Sequence, residues 1–165
     1  VFDAPRAALS ASASALALAN AKAPVRQVSG LTVMVVDDNE DAAQAVGEAL
    51  EMMGHTVHVM FSAPDALARV GALRPDVCLL DIGLPGMDGY ELAQRLRQQA
   101  AEQDSRTLRD SRDSRPLRLI AVTGYGQDSD RRRAAEAGFD SHMTKPVDLM
   151  TLDALLREEK TRAWP

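Results

Sequence analysis

Cysteine and aromatic residues are scarce in this chain of 165 residues, and each scarcity excludes a class of protein. The single cysteine, Cys78, lies in an apolar run, so no disulfide framework can form and a reducing compartment is expected. Aromatic residues make up only 4% of the chain, so the core has to consist mainly of Val, Leu, Ile, Met and Ala side chains. The sequence contains no run of about 18 apolar residues, which excludes a membrane-spanning helix.

Basic residues are not in excess either. Lys and Arg number 19 against 24 Asp and Glu, and the formal net charge of −5 argues against a nucleic-acid-binding surface. The length suits one domain with some residues to spare. We therefore expect one domain that has neither nucleic acid nor a membrane among its partners.

Residues 1–30 differ in composition from the rest of the chain. They include ten Ala and four Ser and lack the bulky apolar side chains that a core needs, so they predict a linker or leader. A secretory signal is the alternative, because Arg6 precedes an Ala/Leu stretch and Ala19-Asn20-Ala21 resembles a cleavage site. The first residue is Val1 rather than Met, which favours a piece of a longer chain.

Segments typical of strands and helices alternate from Leu31 onward. The predicted strands are 31–36, 56–60, 76–80, 117–122 and 141–144, and the predicted helices are about 40–53, 64–73, 90–99, 130–137 and a last one that Asp148 caps. Asn39 or Asp38 is expected to cap the first helix, and Ser62 the second. Nearly continuous apolar strands are typical of a parallel sheet that is buried on both faces. Five strand–helix repeats without hairpin signals predict a doubly wound α/β domain over 31–160, followed by a short tail, 161–165.

A polar stretch at about 102–116 separates the third helix from the fourth strand. It repeats every three residues, as in Asp110-Ser111-Arg112 and Asp113-Ser114-Arg115, and its charges nearly cancel. This composition predicts a solvated insertion that can continue the helix for a turn or two. A docking or nucleic-acid-binding role for its arginines is the alternative, which the interleaved Asp residues disfavour.

Polar residues capable of chemistry stand at the ends of four predicted strands. They are Asp37, Asp38, Asp81, Thr123 and Lys145. Ligands of parallel α/β sheets bind beyond the carboxyl ends of the strands, so these side chains are expected to share one pocket. Three carboxylates repel each other unless a cation is present, and their oxygens suit Mg²⁺ or Mn²⁺. The ammonium and hydroxyl groups complete what is needed to hold a phosphoryl group, although each residue alone is also explained by capping or by a turn.

Four motifs resemble the receiver domain of two-component response regulators. The motifs are Val35–Glu40, Leu79–Gly89, Ala121–Gly124 and Lys145-Pro146. The resemblance covers about residues 31–158. It implies a flavodoxin-like (βα)5 fold with a five-stranded parallel sheet in the order 2-1-3-4-5.

The resemblance also implies a role for each of the acidic residues. Asp81 would be the phosphoacceptor, taking its phosphoryl group from the phosphohistidine of a histidine kinase or a histidine phosphotransfer domain. Asp38, Asp81 and the backbone carbonyl of Gly83 would bind Mg²⁺ or Mn²⁺ directly, and Asp37 would bind it through water.

The same resemblance implies roles for the residues around the acceptor. Lys145 would pair with Asp81 and then with the phosphoryl oxygens, and Thr123 would turn inward to form hydrogen bonds with them. The Lys145–Pro146 bond is expected to be cis. Gly83 and Tyr125 occupy the positions that modulate hydrolysis of the aspartyl phosphate in this family. Because Gly83 has no side chain to orient water and Tyr125 can cover the site, we expect a long-lived phosphoryl group.

One position departs from the commonest pattern of the family. The switch aromatic, three residues before the lysine, is His142 in this chain. We expect His142 to swing inward when Thr123 moves, which would give a switch whose strength depends on pH. The alternative is a half-exposed histidine at the edge of the sheet.

For the other histidines and for a run of arginines, we expect roles at the protein surface. His55 and His58 flank the second strand without a neighbouring nucleophile, so we expect surface roles for both. Arg131-Arg132-Arg133 opens the fourth helix, on the side where receivers of this type contact partners. A solvated helix face is the preferred interpretation of the three arginines.

The predicted function is that of a phosphoacceptor receiver, whose own chemistry is limited to self-phosphorylation and self-dephosphorylation in the cytoplasm. The leader and Val1 favour the C-terminal receiver of a hybrid sensor histidine kinase, whose other parts can be membrane-bound. A free single-domain response regulator is the alternative. Two other functions on the same fold are a Mg²⁺-dependent phosphohydrolase and a flavin-binding domain, and the sequence disfavours both. The phosphohydrolase would need a second acidic residue at the position of Gly83. In a flavin-binding domain, Asp37 and Asp38 would repel the flavin phosphate.

Overall fold

Five strands and five helices alternate along the residues that the computed structural model describes, which are 30–107, 116–124 and 128–161. The strands are β1 (Thr32–Val36), β2 (Thr56–Met60), β3 (Val77–Asp81), β4 (Arg118–Thr123) and β5 (Ser141–Thr144). The helices are α1 (Glu40–Met52), α2 (Ala63–Leu73), α3 (Gly89–Thr107), α4 (Asp128–Glu136) and α5 (Leu149–Thr161). All strand pairs are parallel and their order is 2-1-3-4-5, so the predicted flavodoxin-like fold is confirmed.

The sheet is buried on both faces, as its apolar strands predict. Because side chains alternate along a strand, Val33 and Val35 of β1 face one layer of helices, while Met34 and Val36 face the other. The first layer is formed by α1 and α5, and the second by α2, α3 and α4. No helix among the described residues is both long and apolar enough to cross a bilayer.

Side chains at the helix starts satisfy backbone N–H groups that have no partner within the helix. Asn39 accepts a hydrogen bond from the N–H of Ala42 at 3.1 Å, and Ser62 accepts one from Asp65 at 3.3 Å. Asp148 accepts one from the N–H of Thr151 at 3.2 Å. Ser62 and Asp148 are confirmed as caps, and of the two candidates for the first helix, Asn39 and Asp38, the cap is Asn39.

Helix α3 continues into the polar stretch. Its apolar pattern predicts an end near Gln99 and the polar stretch was expected to be able to continue the helix for a turn or two; the helix reaches Thr107. Two interactions between residues four apart support the extra turns: Gln98 donates to Glu102 at 3.1 Å, and Ser105 Oγ donates to the carbonyl of Ala101 at 2.8 Å. The rest of the predicted insertion, 108–115, lies outside the described residues, as do 1–29 of the leader and 162–165 of the tail.

The amino-terminal ends of β4 and β5 are joined by Arg97 of α3. Its guanidinium donates to the carbonyl of Gly138 at 2.8 Å, to the carbonyl of Leu117 at 3.1 Å and to Oδ2 of Asp140 at 2.7 Å. Asp140 Oδ2 also accepts from the N–H of Leu119 at 2.9 Å. We call these contacts the Arg97 clasp. They fix the end of both strands that lies opposite the predicted site.

Candidate functional site

Three carboxylates converge at the carboxyl edge of the sheet. Asp37 and Asp38 follow β1, and Asp81 ends β3, the neighbouring strand. Carboxylate oxygens from the three residues lie within 4.8 Å of one another. Asp37 and Asp81 are buried, with 9% and 7% of their surface exposed, whereas Asp38 is exposed. The predicted acidic residues therefore form one cluster with an open side.

Backbone N–H groups fix the orientation of the two buried carboxylates. Asp37 Oδ1 accepts from the N–H of Asn39 at 2.9 Å, and Asp81 Oδ1 accepts from the N–H of Gly83 at 3.0 Å. In each residue the second oxygen, Oδ2, is then directed to the same cation, Lys145.

Lys145 bridges the two buried carboxylates. Its Nζ lies 3.0 Å from Asp37 Oδ2 and 3.1 Å from Asp81 Oδ2. The backbone N–H of Lys145 donates to the carbonyl of Thr123 at 2.7 Å, and the bond to Pro146 is cis, as expected. Partial burial lowers the pKa of Lys145, but the hydrogen bonds and negative charges of the two carboxylates outweigh this effect and raise the pKa above its ordinary value.

The cluster has the chemistry of a site for a hard divalent cation. Lys145 neutralises one of the three carboxylate charges, so two negative charges are left for a metal ion. All three side-chain donors are oxygens, which Mg²⁺ and Mn²⁺ prefer. The exposed position of Asp38 leaves room for water ligands as well.

Thr123 and His142 lie on the two last strands of the sheet. Thr123 is buried, with 5% of its surface exposed, and its Oγ1 lies 3.0 Å from His142 Nε2. His142 is half-buried in the edge strand β5 and pairs with Ala121 in the register of β4 and β5. The ring is therefore already bound to the hydroxyl at the site. Tyr125, the second predicted modulating residue, lies outside the described residues.

Comparison with known proteins identifies the family of this chain. The model of the response regulator receiver domain matches residues 33–157. The chain belongs to this family. Receiver domains interact with histidine kinases or phosphotransfer proteins, and the acidic cluster of this receiver corresponds to the kind of pocket at which the family binds Mg²⁺.

Individual relatives agree with the assignment. The receiver is 31% identical, over 78% of its length and 88% of the relative's, to an uncharacterized 14.6 kDa protein from Leptolyngbya boryana. It is 34% identical to the transcriptional regulatory protein TcrA of Mycobacterium tuberculosis, over 79% of its own length and 46% of the relative's. A solved structure titled as the BeF3-activated DrrB receiver domain is 26% identical, with a TM-score of 0.65 over 81% of this receiver and 99% of that chain.

The receiver spans about half the length or less of most of the curated relatives that it matches. They are named as transcriptional or response regulators. These names do not support the expectation of a hybrid kinase.

An apolar cavity of about 600 Å³ opens beside the acidic cluster of the receiver. Asp37, Asp81 and Lys145 form its polar end. Its walls come mainly from α1, the segment before α5 and the ends of the central strands, including Val46 and Val147. This cavity was not predicted, because its walls bring together residues of a helix, a connecting segment and three strands that are remote in the sequence.

Residue Arg133 of α4 lies against the start of α3. Its guanidinium carbon is 4.5 Å from the centre of the Tyr90 ring, and one of its nitrogens is 3.9 Å from Asp88. Tyr90 in turn packs edge-to-face on Phe139, with 6.3 Å between ring centres. All three arginines of 131–133 are exposed, as expected for a solvated face, but Arg133 has in addition this contact with an aromatic ring.

The remaining histidines lie outside the acidic cluster. His55 Nδ1 accepts a hydrogen bond from the N–H of Leu31 at 3.1 Å, so this side chain joins the turn before β2 to the start of β1. His58 is half-buried in β2, the edge strand opposite β5.

Proposed function

We propose that the receiver accepts a phosphoryl group onto Asp81 from the phosphohistidine of a histidine kinase or a histidine phosphotransfer domain. The observation that carries the proposal is the meeting of Asp37, Asp38, Asp81 and Lys145 at the carboxyl edge of a receiver fold. A buried carboxylate beside an ammonium and a cation site is equipped for phosphoryl transfer.

In the transfer, an oxygen of Asp81 attacks the phosphorus atom while the bond from phosphorus to the donor's imidazole nitrogen breaks. The electron pair of that bond stays on the nitrogen, and the donor ring leaves as a neutral imidazole because its other nitrogen carries a proton. Asp81 Oδ1 is held by the N–H of Gly83, which leaves Oδ2, the oxygen that faces Lys145, as the attacking atom. After the transfer, the ammonium of Lys145 pairs with the new phosphoryl oxygens, because their negative charge replaces the charge of the Asp81 carboxylate.

Asp38, Asp81 and the carbonyl of Gly83 would hold Mg²⁺ or Mn²⁺ directly, with Asp37 acting through water. The ion supplies charge stabilisation to the phosphoryl oxygens during transfer. Asp37 keeps its hydrogen bonds to Asn39 and Lys145, which orient it toward the cluster. Thr123 contributes a hydroxyl for a phosphoryl oxygen, and its pairing with His142 makes these two residues the proposed switch.

The donor's histidine has to reach Asp81 from the open side of the cluster. Because the apolar cavity between α1 and α5 opens at the same place, we assign it to the part of the surface that the donor covers. An exposed apolar side chain, Met150 with 76% exposure, stands at the start of α5 near this entrance. A donor that presents an apolar helix face beside its histidine fits this surface.

The parent protein is proposed to be a response regulator of the cytoplasm. The names of the relatives favour this alternative over the hybrid sensor kinase. Sequencing the reading frame on both sides of the chain distinguishes them: an ATP-binding kinase module upstream would establish the hybrid kinase.

Incubation with acetyl phosphate or beryllofluoride in the presence of Mg²⁺ tests the function. With acetyl phosphate we expect one phosphoryl group per chain, located on Asp81 by mass spectrometry, and with beryllofluoride one bound ion per chain; Asp81→Asn should show neither. A Glu48→Gln variant, altered at an exposed position of α1, serves as the control and should react like the wild type. Incorporation that persists in Asp81→Asn, or none in the wild type with either reagent, would contradict the proposal.

A further inference from the structure

The apolar cavity beside the acidic cluster has the size and the lining of a small-molecule site. Its volume of about 600 Å³ lies within the range of ligand pockets, which is about 300–1,000 Å³. Among the described residues that line it, all except Asp37, Asp81 and Lys145 are apolar. The wall on the side of α1 includes Ala42 and Ala45, whose small side chains take up little of the space. The cavity therefore suits a ligand with a hydrocarbon body and one polar group.

The charge at the polar end of the cavity indicates which polar group fits. The carboxylates of Asp37 and Asp81 and the ammonium of Lys145 line this end, so one negative charge is left over. Asp38, whose carboxylate lies within 4.8 Å of the other two, adds a second negative charge next to it. A cationic group is attracted to this end of the cavity and an anionic group is repelled, and the apolar walls strengthen both effects.

We propose that the cavity binds a small apolar molecule that carries one cationic group, of the class of the alkylamines and arylalkylamines. The ammonium group of the ligand lies at the carboxylates of Asp37 and Asp81. The hydrocarbon body fills the space between α1 and the segment before α5, against Val46 and Val147. This binding goes beyond the phosphoryl transfer proposed above, because it requires only the metal-free domain.

The amine and a divalent cation are expected to oppose each other. Asp81 lines the cavity and also belongs to the acidic cluster, so the two sites share a carboxylate. A divalent ion at the cluster adds two positive charges next to the polar end of the cavity, and a second cation is then repelled. Each ligand therefore weakens binding of the other by the same factor. The further consequence, that the amine slows phosphorylation, rests on the proposed function.

Calorimetric titration of the metal-free receiver with three compounds that share one hydrocarbon body tests the proposal. At pH 7 phenylbutylamine is a cation, phenylbutanol is neutral and phenylbutyrate is an anion. We expect the amine to bind about tenfold more tightly than the alcohol, and the anion to bind more weakly than the alcohol. Saturating Mg²⁺ should weaken binding of the amine about tenfold and leave binding of the alcohol nearly unchanged.

Variants in the cavity wall locate the ligand. Ala45→Trp fills the cavity from α1 and should weaken binding of the amine at least tenfold, and Val147→Trp should do so from the opposite wall. The matched control is Gln44→Trp, at the neighbouring exposed position of α1, which does not line the cavity and should bind the amine like the wild type. Urea denaturation verifies that each variant is folded.

The outcomes separate this proposal from the proposed function. An amine that binds no more tightly than the alcohol, an amine that Mg²⁺ leaves unaffected, or unchanged binding in both folded wall variants would overturn the cavity site. Acetyl phosphate, applied to the same preparation in the presence of Mg²⁺, tests the other proposal. Failure to label Asp81 would refute the proposed function, whereas tighter, Mg²⁺-sensitive binding of the amine would still establish the cavity site.

Discussion

The ammonium of Lys145 lies as close to Asp37 as it does to Asp81. The two Nζ to Oδ2 distances are 3.0 Å and 3.1 Å. The lysine that was predicted to pair with the acceptor thus neutralises a second carboxylate at the same time. The bridge links the ends of β1 and β3 to the segment after β5, and it ties the charge of the site to the stability of the domain.

Raising the pH through the alkaline range should destabilise the metal-free domain through Lys145. The pKa of Lys145 is raised in the folded state, so its stabilising effect is complete below the pKa of an unfolded lysine, about 10.4, and is lost as pH rises through the folded value. Urea denaturation between pH 9 and pH 12 measures the effect. Lys145→Met should show a smaller alkaline loss of unfolding free energy than the wild type, and equal losses in both proteins would contradict the prediction.

Asp38→Asn should stabilise the metal-free domain and weaken its response to Mg²⁺. The exposed Asp38 carboxylate lies within 4.8 Å of the two buried ones, so removing its charge relieves repulsion worth about 0.5–1 kcal/mol at this partly solvated position. Metal binding to the folded state then adds less stability because one ligand is weaker. Chemical denaturation with and without Mg²⁺ measures both effects, and Glu48→Gln on α1 is the control. A variant that Mg²⁺ stabilises as much as it stabilises the wild type would refute the assignment of Asp38 to the metal.

Gly83→Asn should shorten the lifetime of the phosphoryl group. A Cβ atom at Gly83 would lie 3.6 Å from Asp81 Oδ1, an ordinary contact, so the asparagine fits beside the acceptor and its amide can orient a water molecule. Release of phosphate after removal of excess acetyl phosphate gives the rate, and decay should become several-fold faster. Tyr125→Ala, which uncovers the site in our hypothesis, is expected to act in the same direction. Unchanged or slower decay in both variants would contradict a long lifetime set by these positions.

Removal of the Arg97 clasp should destabilise the fold without removing the acidic cluster. Arg97→Met loses three hydrogen-bonded partners, two of them backbone carbonyls, and we expect a loss of about 2–3 kcal/mol of unfolding free energy. Arg97→Lys should recover only part of this, because an ammonium cannot reproduce the planar set of donors. Urea denaturation measures both variants. A loss below about 0.5 kcal/mol, the usual range of surface changes, would show that the clasp contributes little.

The contact of Arg133 with Tyr90 should be visible in the titration of the tyrosine. Burial and the nearby Asp130 raise the pKa of Tyr90, while Arg133 opposes them. Arg133→Gln should therefore raise the pKa of Tyr90 further. Ultraviolet absorbance between pH 9 and pH 12 follows the phenolate, in a Tyr125→Phe background that leaves Tyr90 as the only tyrosine. An unchanged or lower pKa in Arg133→Gln would contradict the contact.

Much of the fold could be predicted because it depends on local patterns. Short sequence segments are enough to predict the apolar strands of four to six residues, caps such as Asn39 and Ser62, and the order of strands and helices. The apolar pattern of α3 ends near Gln99, and the continuation for a turn or two into the polar stretch was expected, but the precise end at Thr107 depends on side-chain interactions four residues apart.

The predicted acidic residues do come together, since parallel strands bring their carboxyl ends to one edge. Apart from the pairing of Lys145 with Asp81, which the family resemblance implies, contacts between remote residues could not be predicted. Asp37 and Lys145 are 108 positions apart, and Arg97 and Asp140 are 43 apart. An arginine on the polar side of a helix has the same local pattern whether it binds solvent or three partners in another layer.

The Arg97 clasp also determines where the sheet can change shape. It anchors β4 and β5 at their amino-terminal ends, through Leu117, Gly138 and Asp140, whereas the hydroxyl of Thr123 and the segment after β5 lie at the far ends of the same strands. Because both strands are held at one end, their opposite ends have more freedom to move. We therefore expect displacements that begin at Asp81 to be largest at the carboxyl edge and smallest at the clasp. A partner that reads the state of this domain through β4 and β5 has to bind near the moving end.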